Sequence, residues 1–395
     1  MANRYDYLII GGGMTADAAV NGIRDHDPSG SVGVICAEPD PPYDRPPLTK
    51  GLWKDQKEDG IWRKTAERKV DLHLGRRAQT LDLQRRQITD DRGDTFSFGK
   101  LLLATGGSPR QLSFGGSDIL YYRTFRDYKR LRTLTEKGRR FAVIGGGFIG
   151  SEIAAALALN HQKVTMLFPG KGIGDRIFPE ELSLFLNNYY QQKGVEVLSG
   201  ERLSGVVKRG EQLLLQTESG RELLVDAVIA GLGIEPNVSL AEQSGLRVEN
   251  GIVVDEFLRT SHPQIYAAGD VANFYNPALS RRLRVEHEDN VNTMGRFAGR
   301  NMAGKPEPYL HLPFFYSDLF ELGYEAVGDT DSRLTTVADW KERFREGVIY
   351  YQQQNKVRGV LLWNVWGKVD AARQLISSNR SFRPEELKEQ LLEAA

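Results

Sequence analysis

At 395 residues, with Lys+Arg and Asp+Glu both at 52, the chain is long for a single core, so two or three domains are expected. Its neutral balance gives no global field to recruit nucleic acid or an anionic membrane. The one cysteine, Cys36, excludes an intrachain disulfide, a dithiol redox pair and reduction of a disulfide substrate through Cys-x-x-Cys.

The chain enters its first strand by Tyr5, which leaves no room for a cleavable signal. No apolar run reaches the roughly 18 residues of a membrane span, so the cytoplasm is the expected compartment. Residues 7–16 (YLIIGGGMTA) then read as a strand, a glycine-rich turn and the start of a helix. Gly11 makes the tight turn, Gly13 lets the backbone approach a pyrophosphate, and Ala16 stands where a third small residue packs helix on strand. The pyrophosphate would sit on the free N–H groups and positive dipole end of the helix. The helix is expected to run to about Asp27. A second strand, 31–37 (SVGVICA), follows and ends at Glu38, an acid able to accept hydrogen bonds from an adenosine ribose. Cys36, within that strand, reads as a buried structural thiol.

Residues 100–107 (KLLLATGG) form a short apolar strand ending in glycine. Residues 141–150 (FAVIGGGFIG) repeat the glycine-rich pattern with Gly145, Gly147 and Gly150, followed by a small-residue helix and a strand over 163–168. Two such turns in one chain point to two dinucleotides bound at once, and so to an electron-transfer flavoenzyme. Segments 205–208, 211–216 and 221–225 alternate with turn residues and read as a β-meander. Residues 263–270 (PQIYAAGD) resemble 100–107. Asp270 either takes a hydroxyl of a sugar-alcohol chain or stabilises a turn. Near the C-terminus, 346–351 and 357–363 read as antiparallel strands, and a helix is expected over roughly 383–394. No metal site is predicted.

Taken with residues 42–53 (PYDRPPLTKGLW), 233–237 (GIEPN) and Asp270, the ordered motifs resemble the FAD- and NAD(P)-dependent pyridine nucleotide-disulfide oxidoreductase superfamily. The resemblance is to its branch lacking the redox disulfide, which holds apoptosis-inducing factor and the oxygenase-type ferredoxin and rubredoxin reductases. Residues 167–172, 284–289, 317–319, 323–328 and 362–365 look closer to apoptosis-inducing factor. The resemblance implies an α/β, glutathione-reductase-like fold with two Rossmann-like dinucleotide-binding domains plus a C-terminal α+β domain. Residues 1–111 and 233–309 would bind FAD, 112–232 would bind NAD(P)H, and 310–395 would form an interface domain. Glycine and proline clusters at 106–110, 115–117, 231–236 and 305–308 punctuate the same boundaries.

Site residues follow from the same resemblance. Lys50 would supply a cation near the flavin, paired with Glu152. Arg45 would contact FAD by a charge-assisted bond to its pyrophosphate. Glu286 and His287 would lie beside the nicotinamide. His287 is expected to contact or gate rather than to move protons, because hydride transfer to a flavin needs no general base. Tyr316 stands where relatives carry a tryptophan near the flavin. Ala78, Thr105, Gly106, Arg110, Phe148, Ile149, Lys171 and Gly233 complete the cofactor-binding expectations. An acid after the second strand of the inserted domain would select NADH, but Gly170 occupies that place, and Lys171 and Arg176 would accept a 2′-phosphate. NADH is expected by analogy, with NADPH as the alternative.

Three functions stay open. The first is an NAD(P)H-oxidising flavoprotein like apoptosis-inducing factor, with hydride transfer to flavin N5 and a long-lived reduced flavin–NAD+ complex. The second is a reductase passing single electrons to a ferredoxin or rubredoxin, with a quinone as another acceptor and Arg281, Arg282 and Arg284 as a candidate docking face. The third is a non-enzymatic, redox-switched interaction protein. A homodimer is a candidate assembly.

Overall fold

The computed structural model describes residues 3–136, 139–388 and 390–392. The chain divides into two compact units. The first comprises Met1–Arg45, Lys57–Ser108 and Glu235–Pro313; the second comprises Pro46–Gln56, Pro109–Ile234 and Phe314–Ala395.

The first unit is built on a seven-stranded sheet. Asp71–Leu74, Val32–Cys36, Asn3–Ile10 and Thr95–Leu103 lie side by side in parallel, and Ile265–Ala267 joins Thr95–Leu103 through Leu101↔Ile265. Gln87–Asp90 and Ala78–Asp82 extend the sheet as an antiparallel hairpin. The long strand Thr95–Leu103 shows both patterns in one run. Phe96 and Phe98 are buried in alternation beside the antiparallel hairpin, whereas Leu101, Leu102 and Leu103 are all buried between parallel neighbours.

Helix Met14–Arg24 packs against helix Glu288–Met302, and glycines set how closely they approach. A Cβ on Gly22 would lie 2.1 Å from the Arg296 carbonyl, and one on Gly299 would lie 2.1 Å from that of Ala19. The first helix stops at Arg24, short of the expected Asp27. Asp27 instead accepts from the amides of Ser29 (3.1 Å) and Gly30 (2.7 Å), a side-chain turn that competes with another helical turn.

The second unit holds a five-stranded parallel sheet in the order Val195–Ser199, Lys163–Phe168, Arg140–Ile144, Ala227–Ala230, Ile119–Tyr121. The meander is present as Leu203–Arg209, Gln212–Thr217 and Glu222–Val225. Five antiparallel strands form a further sheet, in which Glu346–Gln353 and Lys356–Trp363 pair as the sequence suggests. Its core stacks Tyr324 on Trp363 (5.8 Å between centroids) with Phe178 edge-on to both. Helix Val369–Ser377 packs on this sheet. Of the helix expected over 383–394, only Pro384–Leu387 is helical among the described residues; Lys388 turns to an extended conformation, and residues 389 and 393–394 lie outside them. Among the described residues no helix is long and apolar enough to cross a membrane.

Candidate functional site

In the first unit the glycine-rich turn divides its work among three glycines. Gly11 has φ +113°, and a Cβ there would lie 2.1 Å from the Ala104 carbonyl at the end of Thr95–Leu103. A Cβ on Gly12 would collide with the Cys36 sulfur at 2.2 Å. Gly13 is the N-cap of helix Met14–Arg24, makes no side-chain cap, and has nothing within 4 Å of where a Cβ would point. The turn therefore leaves a cleared surface at an N-terminus whose orphan amides and dipole favour an anion. Ala16 is fully buried behind it. Burial pushes the Cys36 thiol up to about 11, with Glu38 adding to the shift, so it stays a neutral packing group.

Glu38 accepts from the Tyr43 hydroxyl (2.6 Å) and pairs with Arg45 (2.5 Å), which also lies over the Tyr43 ring. Burial alone would lower the Arg45 pKa; Tyr43, Glu38 and Asp270 together raise it. Arg45 thus already holds one anion, a partner the motif did not announce. Thr105 donates to the Asn237 carbonyl, the Asn237 side chain donates back to the Thr105 carbonyl (both 2.8 Å), and the Asn237 amide donates to Gly106. Gly106 has φ +62°. Ala78 begins the strand Ala78–Asp82. Asp270 is buried in a short turn, and Arg284 donates to its carbonyl while pairing with Glu286 (2.6 Å). Arg282 donates to Val254 and Asn273 carbonyls. Arg282 and Arg284 of the candidate docking run are therefore turned to internal partners.

His287 precedes helix Glu288–Met302. Burial pushes its pKa down to about 4, against the opposing pull of Asp270 and Asp289, the latter bonded to His311 at 2.6 Å. In an unfolded chain the imidazole titrates near 6.5, so between that pH and 4 the unfolded state binds the extra proton and stability falls on acidification. Between pH 7 and 5 the loss should approach about 2 kcal/mol, less where the ring stays partly exposed. Thermal melts of the wild type and His287→Gln at both pH values measure it, and an equal acid shift in both proteins would refute it.

In the second unit, three distant pieces of chain converge on one carboxylate. Glu152, in helix Phe148–Leu159, pairs with Lys50 and accepts from the hydroxyls of Thr49 (2.5 Å) and Ser317 (2.6 Å). The Lys50 and Glu152 side chains are 13% and 6% exposed. The Lys50 ammonium also lies 5.2 Å from the Tyr316 ring centre. Sequence reasoning found the pair but not the two hydroxyls. Their only signal is position, Thr49 beside Lys50 and Ser317 beside Tyr316.

The second glycine-rich turn repeats the first. Gly145 has φ +113°, with a Cβ position 2.4 Å from the Gly231 carbonyl, and a Cβ on Gly150 would lie 2.0 Å from the Gly145 carbonyl. Gly147 is again an uncapped N-cap facing open space. Phe148 packs edge-on to Phe315, and Ile149 is exposed. Gly233 has φ +81° and accepts from the Arg110 amide (2.9 Å). Lys171 pairs with Glu180 at 2.9 Å.

The sequence pattern described as pyridine nucleotide-disulphide oxidoreductase matches residues 5–293. The pattern described as the apoptosis-inducing factor, mitochondrion-associated, C-terminal region matches 298–343 and 338–378. The chain is 34% identical to apoptosis-inducing factor 1, mitochondrial, of Dictyostelium discoideum, over 96% of this chain and 79% of that protein. It is 30% identical to the ferredoxin–NAD(+) reductase component of the anthranilate 1,2-dioxygenase system of Burkholderia cepacia, over 96% of each. Putidaredoxin reductase in its covalent complex with putidaredoxin superposes with a TM-score of 0.91 at 27% identity, covering 100% of this chain and 97% of that one.

Proposed function

The chain belongs to the pyridine nucleotide-disulphide oxidoreductase family, and from that premise we propose how its residues divide the work. It is an FAD-dependent NAD(P)H oxidoreductase. The observation that carries the assignment is the pair of cleared turns, where Gly13 and Gly147 each cap a helix with open space in front. Both fit a pyrophosphate. We assign FAD to the first, with residues 1–111 and 233–309 as its domain, and NAD(P)H to the second, within 112–232. Residues 310–395 form the C-terminal domain.

A bound FAD would supply the chemistry of accepting a hydride from NAD(P)H and handing electrons on. The chain's own task is to hold and to orient. Glu38 offers acceptor oxygens to the adenosine ribose while Tyr43 and Arg45 fix its carboxylate. Lys50, held by Glu152, is a fixed positive charge that would favour the electron-rich reduced form of a flavin. His287 stays neutral at physiological pH and so adds no positive charge of its own.

Our leading reading is an activity like that of apoptosis-inducing factor in the cytoplasm, favoured by the C-terminal match. A second reading, a ferredoxin-type electron acceptor, is favoured by the fit to putidaredoxin reductase over the whole chain. Anaerobic titration of the yellow protein with NADH, followed by admission of air, tests both. Loss of oxidised-flavin absorbance with slow recovery in air supports the first. Fast recovery together with rapid turnover of an added [2Fe–2S] ferredoxin supports the second. A protein purified without flavin absorbance and unable to bind added FAD refutes the assignment.

A further inference from the structure

We infer that Asp175 reads the adenosine ribose of the nicotinamide dinucleotide and makes the site prefer a 2′-hydroxyl over a 2′-phosphate. This rests on the reading of residues 145–150 as the NAD(P)H turn. In a βαβ dinucleotide unit, an acid beyond the second strand accepts from the 2′-hydroxyl, and its charge opposes a 2′-phosphate. Here that strand, Lys163–Phe168, is followed by Gly170, which has no side chain to offer.

The space a side chain at Gly170 would take is filled from elsewhere. A Cβ built on Gly170 would lie 2.0 Å from Oδ2 of Asp175, 2.8 Å from its Cγ and 3.2 Å from Oδ1. The acid missing at 170 is thus supplied five residues later. A backbone bond sets its place: the Gly174 amide donates to the Gly146 carbonyl at 2.8 Å, which fastens the loop to the middle of the glycine-rich turn. Gly174 has φ +70°, a conformation that lets the loop fold back there. The Asp175 side chain is exposed, and among the described residues no hydrogen bond or ion pair occupies its carboxylate.

The neighbouring cations are less well placed to welcome a phosphate than their sequence suggests. Lys171 is engaged by Glu180, and both point to solvent. Arg176 remains as the competing feature, and it predicts the opposite preference. The carboxylate and Arg176 therefore make contrary forecasts for one measurement.

Calorimetric titration of the flavin-containing protein with ADP-ribose and with 2′-phospho-ADP-ribose separates them, because neither probe carries a nicotinamide. Wild type is expected to bind ADP-ribose at least about 10-fold tighter, the scale of one hydrogen bond to a charged group. Asp175→Asn should narrow that ratio by about 10-fold. Moving the acid back, with Gly170→Glu and Asp175→Gly together, should restore it. A wild type that prefers the phosphorylated probe, or an unchanged ratio in Asp175→Asn, overturns the inference while leaving the dinucleotide site standing. Failure of wild type to bind either probe overturns both.

Discussion

Replacing Glu152 with alanine is expected to destabilise the second unit by about 3–5 kcal/mol and to remove most NADH-dependent turnover. The size follows from what is left behind. Lys50 would keep a largely buried ammonium without its counter-charge, and removal of one partner of a buried ion pair typically costs about that much. The Thr49 and Ser317 hydroxyls would lose their acceptor as well. For a unit of this size the melting temperature should fall by roughly 10 °C. Glu152→Gln keeps the shape and an acceptor oxygen but not the charge, so it should be milder. Ser317→Ala removes one donor and should cost about 1 kcal/mol, because the carboxylate retains two partners. Scanning fluorescence of the series, with flavin reduction by NADH followed in each variant, checks the order. A Glu152→Ala protein as stable as wild type would mean that the carboxylate is not what holds Lys50.

That cluster also marks where reading the sequence stops. Both glycine-rich turns were legible because strand, turn and helix lie within ten residues, and a glycine at a fixed place has a local physical cause. The meander was legible for the same reason: three short alternating runs joined by tight turns. The glycines that join Met14–Arg24 to Glu288–Met302 were not, because Gly22, Gly295 and Gly299 acquire meaning only when the two helices meet. The hairpin of Ala78–Asp82 and Gln87–Asp90 was missed too. Gln-Ile-Thr-Asp is too short and polar to stand out, and its pairing with Thr95–Leu103 is what makes it a strand. Lys50 and Glu152 could be named from resemblance alone. Thr49 and Ser317 needed coordinates, since each acts on a residue that the chain reaches by a fold rather than by a spacing; Asp175 needed them because only the path of its loop brings its carboxylate back to Gly170.

The sharpest test of the cofactor assignment sets two alanines in one turn against each other. Gly11→Ala should fail to fold or should lose several kcal/mol. Its φ of +113° is closed to a side chain, and the new methyl would stand 2.1 Å from the Ala104 carbonyl, backbone that cannot step aside. Gly13→Ala should fold as well as wild type. Its φ of −92° suits any residue, and nothing lies within 4 Å of the added carbon. What the methyl would fill is the space kept for the pyrophosphate, so FAD affinity should drop roughly 10–100-fold, the cost of forcing a methyl into a close contact. The same change at Gly147, φ −86° and equally open, should leave flavin content alone and weaken NADH binding instead. Flavin per chain after gel filtration, the melting temperature of each apoprotein and the apparent KM for NADH separate the three. If Gly13→Ala keeps its full flavin with unaltered affinity, the first turn is not the FAD site. If Gly147→Ala loses flavin while Gly13→Ala does not, the two assignments are exchanged.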